Sequence, residues 1–314
     1  MFDALAQQIP YHTLIDTAAV RLDVKRLDLI HPQISGNKFY KLKYNLIEAQ
    51  KRGCARILTF GGAFSNHIAA TAYAAHRFNF QSIGIIRGEE LADRPLNPTL
   101  STAQALGMQL EFISRAQYRQ KDQPEFIQAL MQHYPNTYIV PEGGTNALAI
   151  QGSKEILSNF DREQYDLICC AVGTGGTLSG LIESSAESQQ LLGFSALKGT
   201  FLSEQIRGLT QKTNWKITDD YCFGGYAKSS PRLLNFMASF EERYQIPLEP
   251  IYTAKMLYGL FDLIEQQAFA QGIRILALHT GGYKGVYLQS SEHRHLVLTS
   301  ASESFIIAPF VLAR

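Results

Sequence analysis

An α/β fold of two domains, each with a mostly parallel sheet flanked by helices, is predicted by three features of the sequence. Between residues 55 and 140 short apolar runs alternate with amphipathic ones, the strand–helix order of a parallel sheet. Tyr165–Val172 is nearly all apolar, as in a strand covered on both faces. Glycine breaks near 36 and 143 mark two crossings of the chain between units. They suggest a small domain over 44–148 inserted into a larger one formed by 1–43 and 149–314. At 314 residues there is length for two domains with ample core.

The elements follow in order. Residues 1–30 open with a polar lead. Val20–Leu27 alternates apolar with charged residues and reads as a strand. Pro32 and Gly36 break the chain. From Asn37 a helix is expected, with Phe39, Leu42, Leu46 and Ile47 on one face and Gly53 as its stop. Arg56–Phe60 is a strand ended by Gly61-Gly62, and Ser65-Asn66 can cap a helix over Ile68–Phe78. Ser82–Arg87, Gln109–Ile113 and Tyr138–Val140 are strands, with helices near Leu100–Leu106 and Pro124–His133 between them. A helical stretch to Phe160 precedes the apolar strand Tyr165–Val172. A glycine loop then leads into a helix carrying Leu178, Leu181 and Ile182. Leu192–Leu197 is a strand. Residues 201–245 read as mostly helical around a loop at Tyr221–Ser230. Lys255–Ala268 is helical and Arg274–Leu278 is the last strand.

Composition narrows the function. The 29 basic and 28 acidic residues balance to a net charge of +1, which argues against nucleic acid as a partner. No apolar run reaches transmembrane length, and Met1–Ala6 lacks the basic-then-apolar layout of a signal peptide. Cys54, Cys169, Cys170 and Cys222 form no CxxC pair and read as buried thiols. A cytoplasmic protein fits these features. His293-Arg294-His295 has no supporting carboxylate or cysteine cluster, so no metal site is expected.

Two stretches carry the chemistry. Gly173-Thr174-Gly175-Gly176-Thr177 lies between an apolar strand and a helix, an arrangement that points backbone N–H groups at an anion. It is neither a Walker loop nor a clean GxGxxG, and taken alone a tight αβ turn is the commoner explanation of it. Ser35-Gly36-Asn37-Lys38 offers an amine at a helix start, with Lys41 and Lys43 competing for its role. An amine beside a phosphate cradle suggests pyridoxal phosphate, whose aldehyde needs a lysine and whose phosphate needs an anion site. Gly61-Gly62-Ala63-Phe64-Ser65-Asn66-His67 forms another strand–turn–helix at the end of the sheet where α/β folds bind ligands. Ser65 and Asn66 could simply cap a helix there, and a lone His67 is commonly structural.

Together these stretches resemble the D-cysteine desulfhydrase and 1-aminocyclopropane-1-carboxylate deaminase family, of the fold type II, tryptophan-synthase-β-like pyridoxal-phosphate enzymes. The matching residues are Gly36-Asn37-Lys38 with Lys41-Leu42, Gly61-Gly62 with Ser65-Asn66-His67, and Gly173–Thr177. Gly224-Gly225-Tyr226, Pro250-Ile251-Tyr252-Thr253 with Lys255, and His279-Thr280-Gly281-Gly282 complete the set. They run in family order from about residue 21 to 283. The resemblance implies that Lys38 bonds the cofactor's aldehyde, Asn66 meets its ring oxygen and Gly173, Thr174, Gly175, Gly176 and Thr177 hold its phosphate. It further implies that Ser65, Asn66 and His67 contact the substrate, with the Ser65 hydroxyl available for proton transfer. Tyr226 and Tyr252 correspond to the active-site tyrosine pair. Thr280 corresponds to the residue facing the pyridine nitrogen. Thr253 is likewise implied to bind the cofactor; it stands where the deaminases carry a glutamate, and Thr280 where they carry leucine.

Departures from the family pattern bear on substrate identity. Phe64 replaces a glutamine, Tyr40 an arginine, Leu27 the first of two aspartates, and Ala227 a glycine. The resulting expectation is a homodimeric lyase or deaminase that takes a small amino acid, such as D-cysteine, to a 2-oxo acid and ammonia. The alternatives are aminocyclopropane-carboxylate deaminase and a nucleotide-binding α/β protein without covalent chemistry. The tail beyond Tyr287 matches nothing in the family; its apolar run Phe305–Leu312 could pack on the body or at a subunit contact.

Overall fold

The computed structural model describes residues 2–199 and 201–282; the apolar run Phe305–Leu312 and His293-Arg294-His295 lie outside them. The chain opens with β1 (Tyr11–Asp16) and β2 (Val20–Lys25), an antiparallel pair. α1 (Asn37–Lys51) follows, then β3 (Arg56–Gly61), α2 (Asn66–Arg77) and β4 (Gln81–Arg87). α3 (Pro98–Ala105), β5 (Met108–Ile113), α4 (Arg115–Tyr118), α5 (Pro124–His133) and β6 (Thr137–Val140) come next. α6 (Ala147–Ser153), α7 (Asn159–Gln164), β7 (Leu167–Val172), α8 (Gly176–Ser184) and β8 (Gln190–Ser195) continue the alternation. α9 (Phe201–Arg207), β9 (Trp215–Thr218), α10 (Pro231–Tyr244), α11 (Thr253–Glu265) and β10 (Ile273–Leu278) complete it.

Two sheets result. One has four strands, all parallel, in the order β5-β4-β3-β6. The other has six in the order β1-β2-β10-β7-β8-β9, parallel except for β1 against β2. The four-stranded sheet is drawn entirely from residues 56–140, and α1 runs across position 44.

β7 explains why the six-stranded sheet is covered on both faces. Ile168, Cys170 and Val172 pack into one apolar core, and Leu167, Cys169 and Ala171 into the other. Successive side chains of a strand point to opposite faces, so Cys169 and Cys170 are neighbours in sequence and separated in space. Both are free buried thiols. Each fully buried Leu or Ile in these cores contributes about 1.5–3 kcal/mol.

Helix starts follow local capping chemistry. The Ser65 hydroxyl accepts the Ile68 N–H and starts α2, and Asn97 accepts from Leu100 with Pro98 in the first turn of α3. Ser158 forms a capping box with Asp161 and starts α7 anew, which splits the helical stretch expected to run to Phe160.

Three expectations are corrected. Tyr11–Asp16 is an edge strand rather than a polar lead; its mixed, half-buried composition hides the alternation. Trp215–Thr218 is the other edge strand, within a stretch read as mostly helical. Four residues are too few to impose a period on the surrounding helices. Ile47 is 38% exposed, whereas Phe39, Leu42 and Leu46 are buried; it lies one residue, about 100°, beyond Leu46 around the helix. Among the described residues no helix is long and apolar enough to cross a membrane.

Candidate active site

The carboxyl ends of β3, β4 and β7 and the first turns of α1, α2 and α8 enclose a cavity of about 310 Å³. Lys38, Ser65, Asn66, His67, Gly173, Thr174, Gly175, Gly176, Thr177, Tyr226, Tyr252 and Thr280 all line it. Residues from Lys38 to Thr280, 242 positions apart, thus converge on one space.

The turn before α1 sets the position of Lys38. Gly36 has φ +65°, and a Cβ there would lie 1.8 Å from the Thr280 carbonyl oxygen. Only glycine allows the Lys38 turn to lie against the Thr280 loop, where the Asn37 N–H donates to that carbonyl at 3.2 Å. Lys38 Nζ donates to Asn37 Oδ1 at 2.9 Å, and Asn37 Nδ2 donates to Thr177 Oγ1 at 2.8 Å. Asn37 therefore links the amine to the glycine loop. Burial lowers the Lys38 ammonium to a pKa of about 8, with the Glu249 carboxylate acting in the opposite direction.

Lys41, read from sequence as a competitor, occupies a separate post. It is 3% exposed and donates to the Gly143 carbonyl (2.8 Å), Thr145 Oγ1 (2.9 Å) and Thr174 Oγ1 (3.4 Å). Among the described residues no carboxylate lies within ion-pair distance of it. Burial, then the charge of Lys38, pushes its pKa well below the usual lysine value. The loop beside it leaves no room for a side chain: a Cβ on Gly176 would come 2.8 Å from Thr145 Oγ1 and 3.3 Å from Lys41 Cε. The first N–H groups of α8 have no partner within the helix. A buried lysine without a carboxylate partner, bare backbone and a helix start come together here, the donor set an anion would meet.

At the start of α2, Ser65 Oγ accepts the Ile68 N–H at 3.3 Å and retains its proton for donation. His67 has a fixed tautomer. Its Nε2 meets Thr59 Oγ1 at 2.8 Å, and Thr59 spends its one hydroxyl proton on the Val140 carbonyl, also at 2.8 Å. His67 Nε2 is therefore the donor, and buried Nδ1 presents a lone pair without a partner. Burial, Lys38 and Lys41 push its pKa well below the usual histidine value. A neutral ring offering a lone pair at Nδ1 cannot donate a hydrogen bond to a carboxylate from that atom.

Tyr226 and Tyr252 meet edge to face, with ring centroids 6.2 Å apart. Burial, with Tyr226 and Glu249 nearby, holds the Tyr252 phenol well above its ordinary pKa. Lys255 fixes the Tyr226 loop by donating to the carbonyls of Cys222 and Gly225, both at 2.8 Å. Ala227, where glycine was expected, adopts φ +55°.

Thr253 is the exception among the expected site residues. It is fully buried and does not line the cavity. Its hydroxyl and N–H face Glu249, whose carboxylate also accepts the N–H groups of Ile251 and Tyr252 at 2.8 Å each. Burial raises the Glu249 pKa, and these donors pull it down. Sequence reasoning missed Glu249 because it caps the helix from four residues before Thr253. Asp28, the aspartate left after the Leu27 departure, is held by both Arg26 Nε (2.8 Å) and Nη2 (2.7 Å).

A family profile described as "Pyridoxal-phosphate dependent enzyme" matches residues 9–281. A Thermotoga maritima protein named "Putative 1-aminocyclopropane-1-carboxylate deaminase" is 31% identical over 290 residues, covering 85% of this chain and 90% of that protein. The "Bifunctional D-cysteine desulfhydrase/1-aminocyclopropane-1-carboxylate deaminase, mitochondrial" of Arabidopsis thaliana is 29% identical, covering 84% of this chain and 73% of its own. A solved structure described as an ACC deaminase homologue superposes with a TM-score of 0.79 at 26% identity, over 93% of this chain and 94% of that one.

Proposed function

The chain belongs to the pyridoxal-phosphate dependent enzymes, and from that premise we propose that it eliminates a β-substituent from a small D-amino acid such as D-cysteine. The products are a 2-oxo acid and ammonia. The observation that carries this reading is the pairing of two lysines in one cavity. Lys38 has an amine whose pKa is lowered to about 8, and Lys41 is a buried cation without a carboxylate partner. A phosphate answers the second and an aldehyde the first, so the residues fit the cofactor. The family match sets aside the nucleotide-binding alternative.

In this proposal Lys38 carries the cofactor, while Lys41, Thr174, Thr177 and the N–H groups of Gly173–Thr177 hold its phosphate. Asn66 serves the ring oxygen and Thr280 the ring nitrogen. Bound there, pyridoxal phosphate would supply the electron sink that makes the substrate's Cα proton removable. Lys38, released when the substrate's amine takes its place, is positioned to take that proton. Ser65 and the N–H groups at the start of α2 orient the carboxylate. Tyr226 and Tyr252 close the side of the cavity where a β-substituent departs. The division at 44–148 belongs to the same proposal; the separate four-stranded sheet supports it. A cytoplasmic homodimer completes it. The free thiols support the reducing setting, and sedimentation tests the dimer.

A second reading, aminocyclopropane-carboxylate deaminase, is favoured by the name of the Thermotoga maritima relative. The two readings differ at the ring nitrogen. Thr280 can donate a hydrogen bond but supplies no proton as a carboxylic acid does. Glu249 is occupied as a helix cap. A weaker electron sink suits loss of thiolate better than opening of a carbocycle. The expected kcat/KM for D-cysteine or β-chloro-D-alanine exceeds that for 1-aminocyclopropane-1-carboxylate by at least about tenfold, roughly 1.4 kcal/mol in transition-state energy. Steady-state 2-oxo acid release measures this, and a reversed order favours the deaminase.

A further inference from the structure

Arg87 lines the solvent-exposed mouth of the same cavity, and nothing in the proposed reaction uses it. It ends β4, next to β3, whose own end carries the turn into Ser65. Its guanidinium lies over the Tyr118 ring at 5.7 Å, and a Cβ on Gly62 would come 3.5 Å from Arg87 Nη2. The bare Gly62 backbone thus leaves room for the guanidinium beside the substrate-facing turn. Among the described residues no carboxylate lies within 4.0 Å of it. Glu142, the carboxylate on the cavity wall, accepts the Tyr118 hydroxyl at 2.8 Å and faces Lys121 at 3.4 Å.

The charges in the cavity leave Arg87 unmatched. Lys38, Lys41 and Arg87 are its cations. In the proposed reaction Lys38 bonds an aldehyde, Lys41 with the start of α8 meets a phosphate, and the start of α2 with Ser65 meets the α-carboxylate. Arg87 remains, as a planar fork of donors suited to a carboxylate, phosphate or sulfonate.

We propose that Arg87 recognises a negatively charged group on the substrate's side chain, so that the enzyme prefers amino acids whose β-substituent is an anion. This rests on the lyase reading and refines it. For O-phosphoserine the sum is substrate plus water giving pyruvate, ammonium and phosphate. The Cα–H bond gives up its proton, the Cβ–O electrons leave with phosphate, and water hydrolyses the enamine that remains. No oxidant or reductant is needed.

Binding tests the inference independently of turnover. 2-Amino-3-phosphonopropionate carries the anion on carbon and has no leaving group. Calorimetry on the cofactor-loaded protein, with both enantiomers, should find it bound at least tenfold more tightly than alanine. The ratio should collapse toward one in Arg87→Gln and persist in part in Arg87→Lys. The kcat/KM ratio of O-phosphoserine to β-chloroalanine should follow the same order. A wild-type binding ratio near one overturns the proposal. So does an equal loss for both ligands in Arg87→Gln, which would assign Arg87 to the α-carboxylate that they share. If no compound yields a 2-oxo acid, the lyase reading fails and the binding ratio alone decides the role of Arg87.

Discussion

Replacing Lys41 by methionine separates the cofactor's phosphate from the rest of the molecule. Methionine keeps the length and apolar stem of lysine and removes the charge. One charge-assisted hydrogen bond is worth about 1.5–3 kcal/mol, so K41M should weaken pyridoxal phosphate binding roughly 10–150-fold. Two other effects act on the protein itself. The Gly143 carbonyl loses its donor at 2.8 Å, which costs about 1–3 kcal/mol, and the burial penalty of an unpaired ammonium disappears. Both are present in empty and loaded protein alike, so they move the melting temperature and largely cancel in the affinity. Pyridoxal, which lacks the phosphate, is the control, and its affinity should change less than about threefold. Absorbance titrations of wild type and K41M with the two aldehydes measure both numbers. Equal losses for the two would show that Lys41 shapes the cavity rather than the phosphate site.

Three further outcomes are expected. Borohydride reduction of the loaded protein should fix the cofactor to Lys38 and not to Lys41 or Lys43. The attachment rate should rise with pH through a midpoint near the lowered Lys38 pKa of about 8, because only the free amine attacks; a midpoint above 10 would refute the burial argument. His67 is held neutral below its usual pKa, so the unfolded chain binds more protons under pH 6.5 and stability falls as pH drops, by at most about 1.4 kcal/mol per unit for one such group. H67Q, which can still donate to Thr59, should flatten the slope of denaturation free energy against pH, and the remainder belongs to groups such as His279, lowered chiefly by its own burial. A227G should raise the free energy of unfolding in urea by about 1 kcal/mol, because Ala227 holds φ +55°; an unchanged midpoint would mean that the loop relaxes without penalty.

The fold was legible where one physical signal ran unopposed over several residues. β7 is apolar throughout because both of its faces are covered, and α2 follows a serine cap that the sequence displays. The edge strands were hidden for complementary reasons. Among the described residues β1 and β9 end the six-stranded sheet, their side chains are half-buried and mixed, and β9 has only four residues in which to show a pattern. Ile47 shows the limit of counting periodicity. It is apolar and adjacent to the buried face, yet the neighbouring helix turn carries it out to the surface.

The site divides along the same line. Lys38, Ser65, Asn66 and the glycine loop each belong to a short segment whose local geometry, a turn feeding a helix start, is written in consecutive residues. Lys41, Glu249 and Arg87 gain their meaning from partners 102, 4 and 25 positions away: the Gly143 carbonyl, Thr253 and the turn at Gly62. In Lys41 the sequence displays only a lysine on the first turns of a helix, which is ordinarily solvated. Burial beneath Thr145 and Thr174 turns it into a cation awaiting an anion. Thr253 makes the converse point. The family resemblance implies a cofactor-facing group at this position, but the Thr253 hydroxyl belongs to the Glu249 cap. The carboxylate and the hydroxyl satisfy each other, and the proton that a deaminase would supply from that position has no donor there. The preference for thiolate loss over ring opening therefore follows from which polar groups, Thr253 and Glu249 among them, are already satisfied within the fold.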